Sequence, residues 1–84
     1  MTETSIATVT HYWSNLHVAG VTITSGELHT GDTIHIKGHT SDFVQVVESM
    51  QLDHEIVDVA KPGDQVGLMV IDHAREHDTV YVVT

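Results

Sequence analysis

The stretch from Ser25 to Gly38 constrains the fold of this chain more than any other. It reads Ser-Gly-Glu-Leu-His-Thr-Gly-Asp-Thr-Ile-His-Ile-Lys-Gly. Glycine accepts positive φ angles that other residues avoid, and alternating apolar and polar residues are typical of a strand with one buried face. The pattern Gly26-x-Leu28-x-x-Gly31-Asp32-x-Ile34-x-Ile36 therefore predicts two turns around an inward-pointing Leu28, followed by a strand over residues 33–37.

A second stretch repeats the end of this pattern. Gly31-Asp32-Thr33-Ile34 and Gly63-Asp64-Gln65-Val66 share the sequence Gly-Asp-x-(Ile/Val). Lys61-Pro62-Gly63-Asp64 also fits a type II turn, in which Pro takes the second position and Gly the third. We expect each Asp carboxylate to accept backbone N–H groups within its turn. The predicted turn residues, structural and not catalytic, are Gly26, Gly31, Asp32, Pro62, Gly63 and Asp64.

Runs rich in Val and Thr predict the remaining strands, over residues 5–13, 18–24, 42–52, 55–59, 65–71 and 79–83. Val44 and Val46 are expected to point inward, and Glu48 interrupts their alternation, which indicates a bulge or bend near Val47. Gly20, inside the second run, indicates a bulge or a close backbone approach. Six or seven strands with hardly any helix predict an all-β fold. A small closed antiparallel β-barrel formed by residues 1–84 as one domain would remove exposed sheet edges.

Charge and composition narrow the classes of function. The chain has 84 residues, no Cys, and twelve Asp and Glu against three Lys and Arg, which gives a net charge of −9. Such an acidic protein lacks the basic patch that phosphate backbones require, so we expect no tight direct binding of nucleic acid. The N-terminal residues do not form a signal peptide and no apolar run is long enough to span a membrane, which predicts a cytoplasmic protein without membrane contact. A high-salt setting is an alternative reason for the scarcity of Lys.

The two turn motifs carry a family resemblance. Gly26-x-Leu28-x-x-Gly31-Asp32-x-Ile34-x-Ile36 and Ala60-x-Pro62-Gly63-Asp64-x-Val66-Gly67-Leu68 resemble the β-barrel that follows the GTPase domain in elongation factor Tu. Small stand-alone elongation-factor-like proteins and a module at the end of collagenase-like peptidases are similar. The resemblance implies a translation-protein barrel, and in elongation factor Tu this barrel packs on the GTPase domain and helps hold aminoacyl-tRNA. The chain has no Gly-x-x-x-x-Gly-Lys-(Ser/Thr) phosphate loop, so it is not a GTPase of that kind.

Two sets of residues are candidates for a binding site. Tyr12 and Trp13 could form an exposed aromatic platform for a partner, or pack in the core and at its rim. His73 and His77 would share one side of a helical turn, as two metal ligands do, or remain solvated. Between them, Arg75 is expected to pair with a neighbouring acid.

No paired carboxylates or Ser-His-Asp arrangement stands out, so we expect a non-catalytic protein without a cofactor. The leading hypothesis is a binding module, a translation-elongation-factor-like accessory protein that docks on a protein or ribonucleoprotein partner through protein contacts. One alternative is a detached interaction subunit of a collagenase-like peptidase. Another is a His-based metal binder.

Overall fold

The computed structural model describes residues 2–84, which form ten β-strands and no helix. The strands are β1 (Glu3–Trp13), β2 (Val18–Ile23), β3 (Leu28–His29), β4 (Thr33–Lys37), β5 (Asp42–Val46), β6 (Met50–Leu52), β7 (Glu55–Val57), β8 (Val59–Ala60), β9 (Gln65–Met69) and β10 (Thr79–Val83). The prediction of an all-β fold is confirmed. In this part of the chain there is no helix long and apolar enough to cross a membrane.

Eight strands form one antiparallel sheet in the order β5-β4-β10-β1-β2-β9-β6-β7, and β3 pairs with β8 in a separate two-stranded sheet. The larger sheet ends at β5 and β7, so within residues 2–84 its hydrogen-bonded ladder is open. Closure into a barrel is therefore not confirmed. The sequence also underestimates the number of strands, because β3 and β8 have only two residues each and the predicted strand over residues 42–52 is divided into β5 and β6.

The long strand β1 bends where its register shifts, once between Ser5 and Ala7 and once between Val9 and His11. The second shift lies opposite Gly20, which pairs with His11. Bulges bend a strand and increase its local twist. The sheet consequently curls around the apolar side chains on its inner face.

Much of the core consists of side chains that the alternation in the sequence predicts to point inward. Leu28, Ile34 and Ile36 are fully buried. Two further predicted faces are buried as well: Ala19, Val21 and Ile23 on β2, and Val66, Leu68 and Val70 on β9 and its continuation. These inward positions are confirmed.

The inner face of β5 is the exception. Val44 and Val46 were expected inside but are 52% and 50% exposed, whereas Val47 is 2% exposed. The chain leaves the strand at Val47 and forms strand again only at Met50, which is fully buried. The predicted bend is confirmed, but the predicted face of β5 is wrong, because the interruption resets the alternation of side chains.

Individual hydrogen bonds tie β5 to the rest of the sheet where the strand ladder stops. The Val47 N–H donates to the Asp32 carbonyl at 2.8 Å, and the Gly31 N–H donates to the Val47 carbonyl at 2.8 Å. The Gln45 side-chain amide donates to the Met69 carbonyl at 2.8 Å and accepts the Ile71 N–H at 2.8 Å. The Gln45 side chain thus takes the place of a backbone pair between β5 and the end of β9.

Three tight turns share one hydrogen-bonding pattern. In each, an Asp carboxylate accepts the backbone N–H of the residue three positions earlier at 2.9 Å: Asp32 from His29, Asp64 from Lys61 and Asp78 from Arg75. Each of these Asp residues also donates its own backbone N–H to the carbonyl of the same residue. The side chain and the backbone of the Asp therefore close the turn together.

The residue before each Asp has a positive φ. The angles are 93° at Gly31, 92° at Gly63 and 75° at His77. Glycine adopts this conformation without strain, but a residue with a Cβ is destabilised there by about 1–2 kcal/mol. The third turn is therefore the strained copy of the motif.

We expect His77→Gly to stabilise the protein by about 0.5–1 kcal/mol, because the relief of strain exceeds the extra conformational entropy of glycine in the unfolded chain. Thermal and urea denaturation would measure the change. His73→Gly is the matched control, since His73 is also exposed in this loop but is not among the residues with positive φ. It should leave stability unchanged or lower it, and a stabilising effect of equal size in both variants would contradict the strain at His77.

One histidine on the outer face joins three strands. The His35 side chain on β4 is 13% exposed, and its Nδ1 lies 2.8 Å from Glu3 Oε2 on β1. Its Nε2 hydrogen-bonds Asp42 Oδ1 on β5. The hydrogen bonds with Asp42 and Glu3 raise the pKa of His35 above its ordinary value of 6.5, because both ring nitrogens donate in the charged form. The hydrogen bond between His35 and Asp42 also lowers the pKa of Asp42.

The pH dependence of this cluster has a definite sign. The raised pKa of His35 stabilises the fold fully below about pH 6.5, and this contribution fades as the pH rises through the folded value. The lowered pKa of Asp42 stabilises the fold above about pH 3.8, and this stabilisation fades as the pH falls through the folded value.

His35→Gln should therefore lower the melting temperature most near pH 5 and least above pH 8. An equal loss at both pH values would show that the His35 charge has no role.

Candidate functional site

Several large apolar side chains lie on the surface of the protein. Those of the described residues are Trp13, Leu16, Val44, Val46, Ile56, Met69 and Ile71, each 41–74% exposed. Single exposed apolar residues are normal in soluble proteins, but adjoining ones mark contact surfaces. Trp13, Leu16 and Met69 line adjoining depressions on the outer face of the sheet, where β2, β9 and β6 lie side by side.

The larger of these depressions has a volume of about 550 Å³. An adjoining one of about 220 Å³ shares Leu16 and Gly67 with it and extends to Met69. Together they form a surface that we call the Trp13 groove, defined by Trp13, Leu16, Gly20, Asp53, Gly67 and Met69.

The floor of the Trp13 groove consists of backbone. Gly20 on β2 and Gly67 on β9 are direct partners in the antiparallel ladder. A Cβ at Gly20 would lie 3.1 Å from Cζ3 of Trp13, which is closer than such contacts normally are. Glycine at position 20 therefore allows the indole ring to lie against the strand. A Cβ at Gly67 would meet Val18 Cγ1 at 3.4 Å, an ordinary contact, so a side chain could be placed at this position.

Two hairpin tips form the walls of the groove. The tip between β1 and β2 contains His17 with φ 54°, and the tip between β6 and β7 contains Asp53 and His54 with φ of 51° and 67°. A two-residue turn with two positive φ angles is of type I′, which favours Asn and Gly over the pair found here. Residues in such conformations are strained by about 1–3 kcal/mol and cluster at functional sites. The strain is therefore concentrated around the groove.

The structure separates the two predicted aromatic residues. Tyr12 is half-buried against the core, and its ring centroid lies 4.5 Å from that of His73. Trp13 is 41% exposed and contacts His11 edge-on, with centroids 4.4 Å apart. Successive residues of a strand point to opposite faces, so the two rings do not form one platform. Trp13 alone lies in the groove.

The structure does not bring His73 and His77 together on a helical turn. Residues 70–78 form a loop, in which His73 lies against Tyr12 and His77 occupies the positive-φ position of the third Asp turn. Among residues 2–84, no three His, Asp or Glu side chains are placed to hold a metal ion. The expected ion pair of Arg75 with an acid is also not formed in this part of the chain.

Two further depressions, of about 250 and 490 Å³, lie on either side of His73 and Arg75. Their linings are mainly polar, and they lack the glycine floor of the Trp13 groove. We therefore take the Trp13 groove as the candidate functional site.

The sequence alone provides few of the residues of this groove. Trp13 was a candidate and Gly20 indicated a close backbone approach, but Leu16, Asp53, Gly67 and Met69 were not recognised. The available signals were weak: Leu16 is an apolar residue inside a turn, and Gly67 is a second glycine inside a strand. That the two glycines face each other depends on a register between strands that no local pattern determines.

The chain matches known proteins over most of its length. Residues 17–79 match the family described as Elongation factor Tu domain 2. An uncharacterized protease of Methanocaldococcus jannaschii is 38% identical over 79 residues, which are 93% of this chain and 19% of the relative. A collagenase of Porphyromonas gingivalis is 38% identical over 71 residues, which are 83% of this chain and 20% of the relative. The chain thus spans about a fifth of the length of these curated relatives.

Two solved structures have the same fold. Both are of the C-terminal domain of a proposed U32 peptidase from Geobacillus thermoleovorans, with TM-scores of 0.86 and 0.87 and 20% sequence identity. The matches cover 92% and 94% of this chain and 96% and 91% of those chains. At this identity the likeness concerns the fold. Because the family match covers residues 17–79 and the all-β fold agrees with it, this chain belongs to the elongation factor Tu domain 2 family.

Proposed function

We propose that this chain is a non-catalytic interaction module of a collagenase-like peptidase, which binds the peptidase unit through protein contacts. One observation carries the proposal: a protease and a collagenase match 93% and 83% of this chain at 38% identity, and the matching region is about a fifth of each. The remaining four fifths of such a protein leave ample room for a separate catalytic unit. A fold is compatible with many functions, so the peptidase assignment rests on these relatives and not on the fold.

The Trp13 groove supports a role in binding. The core of the domain lies on the inner face of the sheet, so the exposed Trp13, Leu16 and Met69 on the outer face are not needed to enclose it. The depression of about 550 Å³ beside these residues gives the surface a concave shape. Apolar residues of this kind are typical of the centre of a protein–protein interface.

The state of His35 supports a non-catalytic role. His35 lies between two carboxylates at hydrogen-bonding distance, a setting that could suggest acid–base chemistry. Both of its ring nitrogens are engaged, by Glu3 and Asp42, and the side chain is 13% exposed. Because these two carboxylates already occupy both ring nitrogens, His35 has no free nitrogen to offer to a substrate. This cluster therefore serves to connect strands.

The family match supports a second candidate, a translation-type module that docks on a ribonucleoprotein. Such a module would bind a ribonucleoprotein through its protein component, because the chain has twelve Asp and Glu and only three Lys and Arg. Affinity for nucleic acid grows with the number of phosphates that Lys and Arg neutralise. For free tRNA we therefore expect no complex tighter than about 10⁻⁴ M.

We expect the purified chain to elute as a complex with a U32-type peptidase unit of the same organism, expressed without its own copy of this module. Size-exclusion chromatography with light scattering would measure the complex. Deacylated tRNA, tested by fluorescence anisotropy at low salt, is the comparison partner. Micromolar, salt-sensitive binding of tRNA without a complex with the peptidase unit would overturn the proposal and favour the translation-type candidate.

A further inference from the structure

We propose that the Trp13 groove binds an extended, positively charged segment of the partner protein, in which a large apolar side chain is flanked by Lys or Arg. This inference rests on the proposed function, since it specifies which part of a protein partner the module contacts. It assigns an occupant to a surface and requires no chemical step.

The shape of the surface argues for an extended segment. The groove and the adjoining depression beyond Met69 are lined by Gln65, Gly67, Met69 and Ile71, which are alternate residues along β9 and its continuation. At about 3.3 Å per residue, six residue steps correspond to a trough about 20 Å long. A trough of this length accommodates a segment of about six residues in extended conformation.

The lining of the trough argues for a large apolar side chain in the segment. Trp13 and Leu16 are 41% and 58% exposed at one end, and Met69 is 60% exposed further along. Gly67, between them, lines the floor and has no side chain of its own. An apolar side chain that enters above Gly67 would contact the indole ring, the leucine and the thioether, and would be removed from water together with them.

The charges argue for Lys or Arg beside that side chain. Asp53 lies in the wall of the groove, and Glu48 lines the depression beyond Met69. Within residues 2–84, no Lys or Arg lines the Trp13 groove or the depression beyond Met69. With a net charge of −9 on the chain, a cationic segment is attracted and an anionic one repelled.

The same charge argues against two other occupants. A second copy of this chain would bring another net charge of −9 to the interface, and like charges at close range oppose association. A nucleic acid would bring phosphates to a surface without Lys or Arg. A cationic protein segment is therefore the occupant that matches both the apolar lining and the acidic surroundings.

The sequence provides an intrinsic probe, because Trp13 is the only tryptophan of the chain. Titration with the peptide acetyl-Lys-Lys-Leu-Phe-Leu-Lys-Lys-amide, which contains no Trp or Tyr, should shift the emission of Trp13 in a saturable manner. The peptide acetyl-Glu-Glu-Leu-Phe-Leu-Glu-Glu-amide, with the same apolar centre, should bind at least tenfold more weakly. A third peptide, acetyl-Lys-Lys-Gly-Ser-Gly-Lys-Lys-amide, measures attraction by charge alone and should also be at least tenfold weaker.

Two substitutions test whether the groove is the binding surface. Gly67→Val fills the floor, and it should preserve the fold because a Cβ there makes an ordinary contact and β-branched residues suit strands. Leu16→Ser removes an exposed wall residue from a turn. Each should weaken the first peptide at least fivefold. Val44→Thr, at a half-exposed position of β5 that does not line the groove, is the matched control and should leave affinity unchanged.

The outcomes separate this inference from the proposed function. If the peptidase unit forms a complex that Gly67→Val and Leu16→Ser do not weaken, the groove is not the contact surface and the inference fails, although the proposed function stands. If no complex forms but the first peptide binds with the predicted ranking, the proposed function fails and the groove assignment is retained. Equal binding of all three peptides, or of none, overturns the inference.

Discussion

The structure depends on the segment at Val47, which connects β5 to β6. A domain of 84 residues without cysteine encloses its core with an eight-stranded sheet and a two-stranded one, without a disulfide. A chain of this size buries only about 60–65% of its unfolded surface. Val47 leaves β5 at one end of the sheet, is itself 2% exposed, and leads into β6 near the other end. Its backbone bonds to Gly31 and Asp32 hold this crossing in place. They pair the backbone of Val47 beyond the point where the ladder of β5 ends.

The first turn motif of the sequence is therefore more than a local reversal. The positive φ of Gly31 and the carboxylate of Asp32 shape a turn whose backbone then binds Val47. The side chain of Gln45 contributes a second link, to Met69 and Ile71. These contacts explain how a sheet with an open ladder still surrounds a single core. They also place β9 and its continuation beside β5 and β6, and so position the trough along which the Trp13 groove extends.

The two faces of the sheet have different roles. The inner face contains the buried Val, Ile and Leu side chains, whereas the outer face carries a polar cluster around His35 and an apolar groove around Trp13. The His35 cluster connects strands, and its contribution depends on pH. The groove leaves Trp13, Leu16 and Met69 exposed, and its walls contain strained residues such as Asp53 and His54. Surfaces that retain strain and exposed apolar area without benefit to the core are typical of binding sites.

The sequence by itself determined the features that depend on neighbouring residues. Glycine at positions 31 and 63 and the Asp after each specify turns because φ and short-range hydrogen bonds are local, and the alternation of Ile34 and Ile36 specifies a face because side chains alternate along a strand. Tertiary structure decided what depends on distant residues. The interruption at Val47 reversed the expected face of β5. The third Asp turn could not be recognised from the sequence, because His77 occupies the position where the other two turns have glycine. The groove depends on the pairing of Gly20 with Gly67 and on the approach of Asp53, and such contacts follow from strand order and register, which the global packing of the core selects.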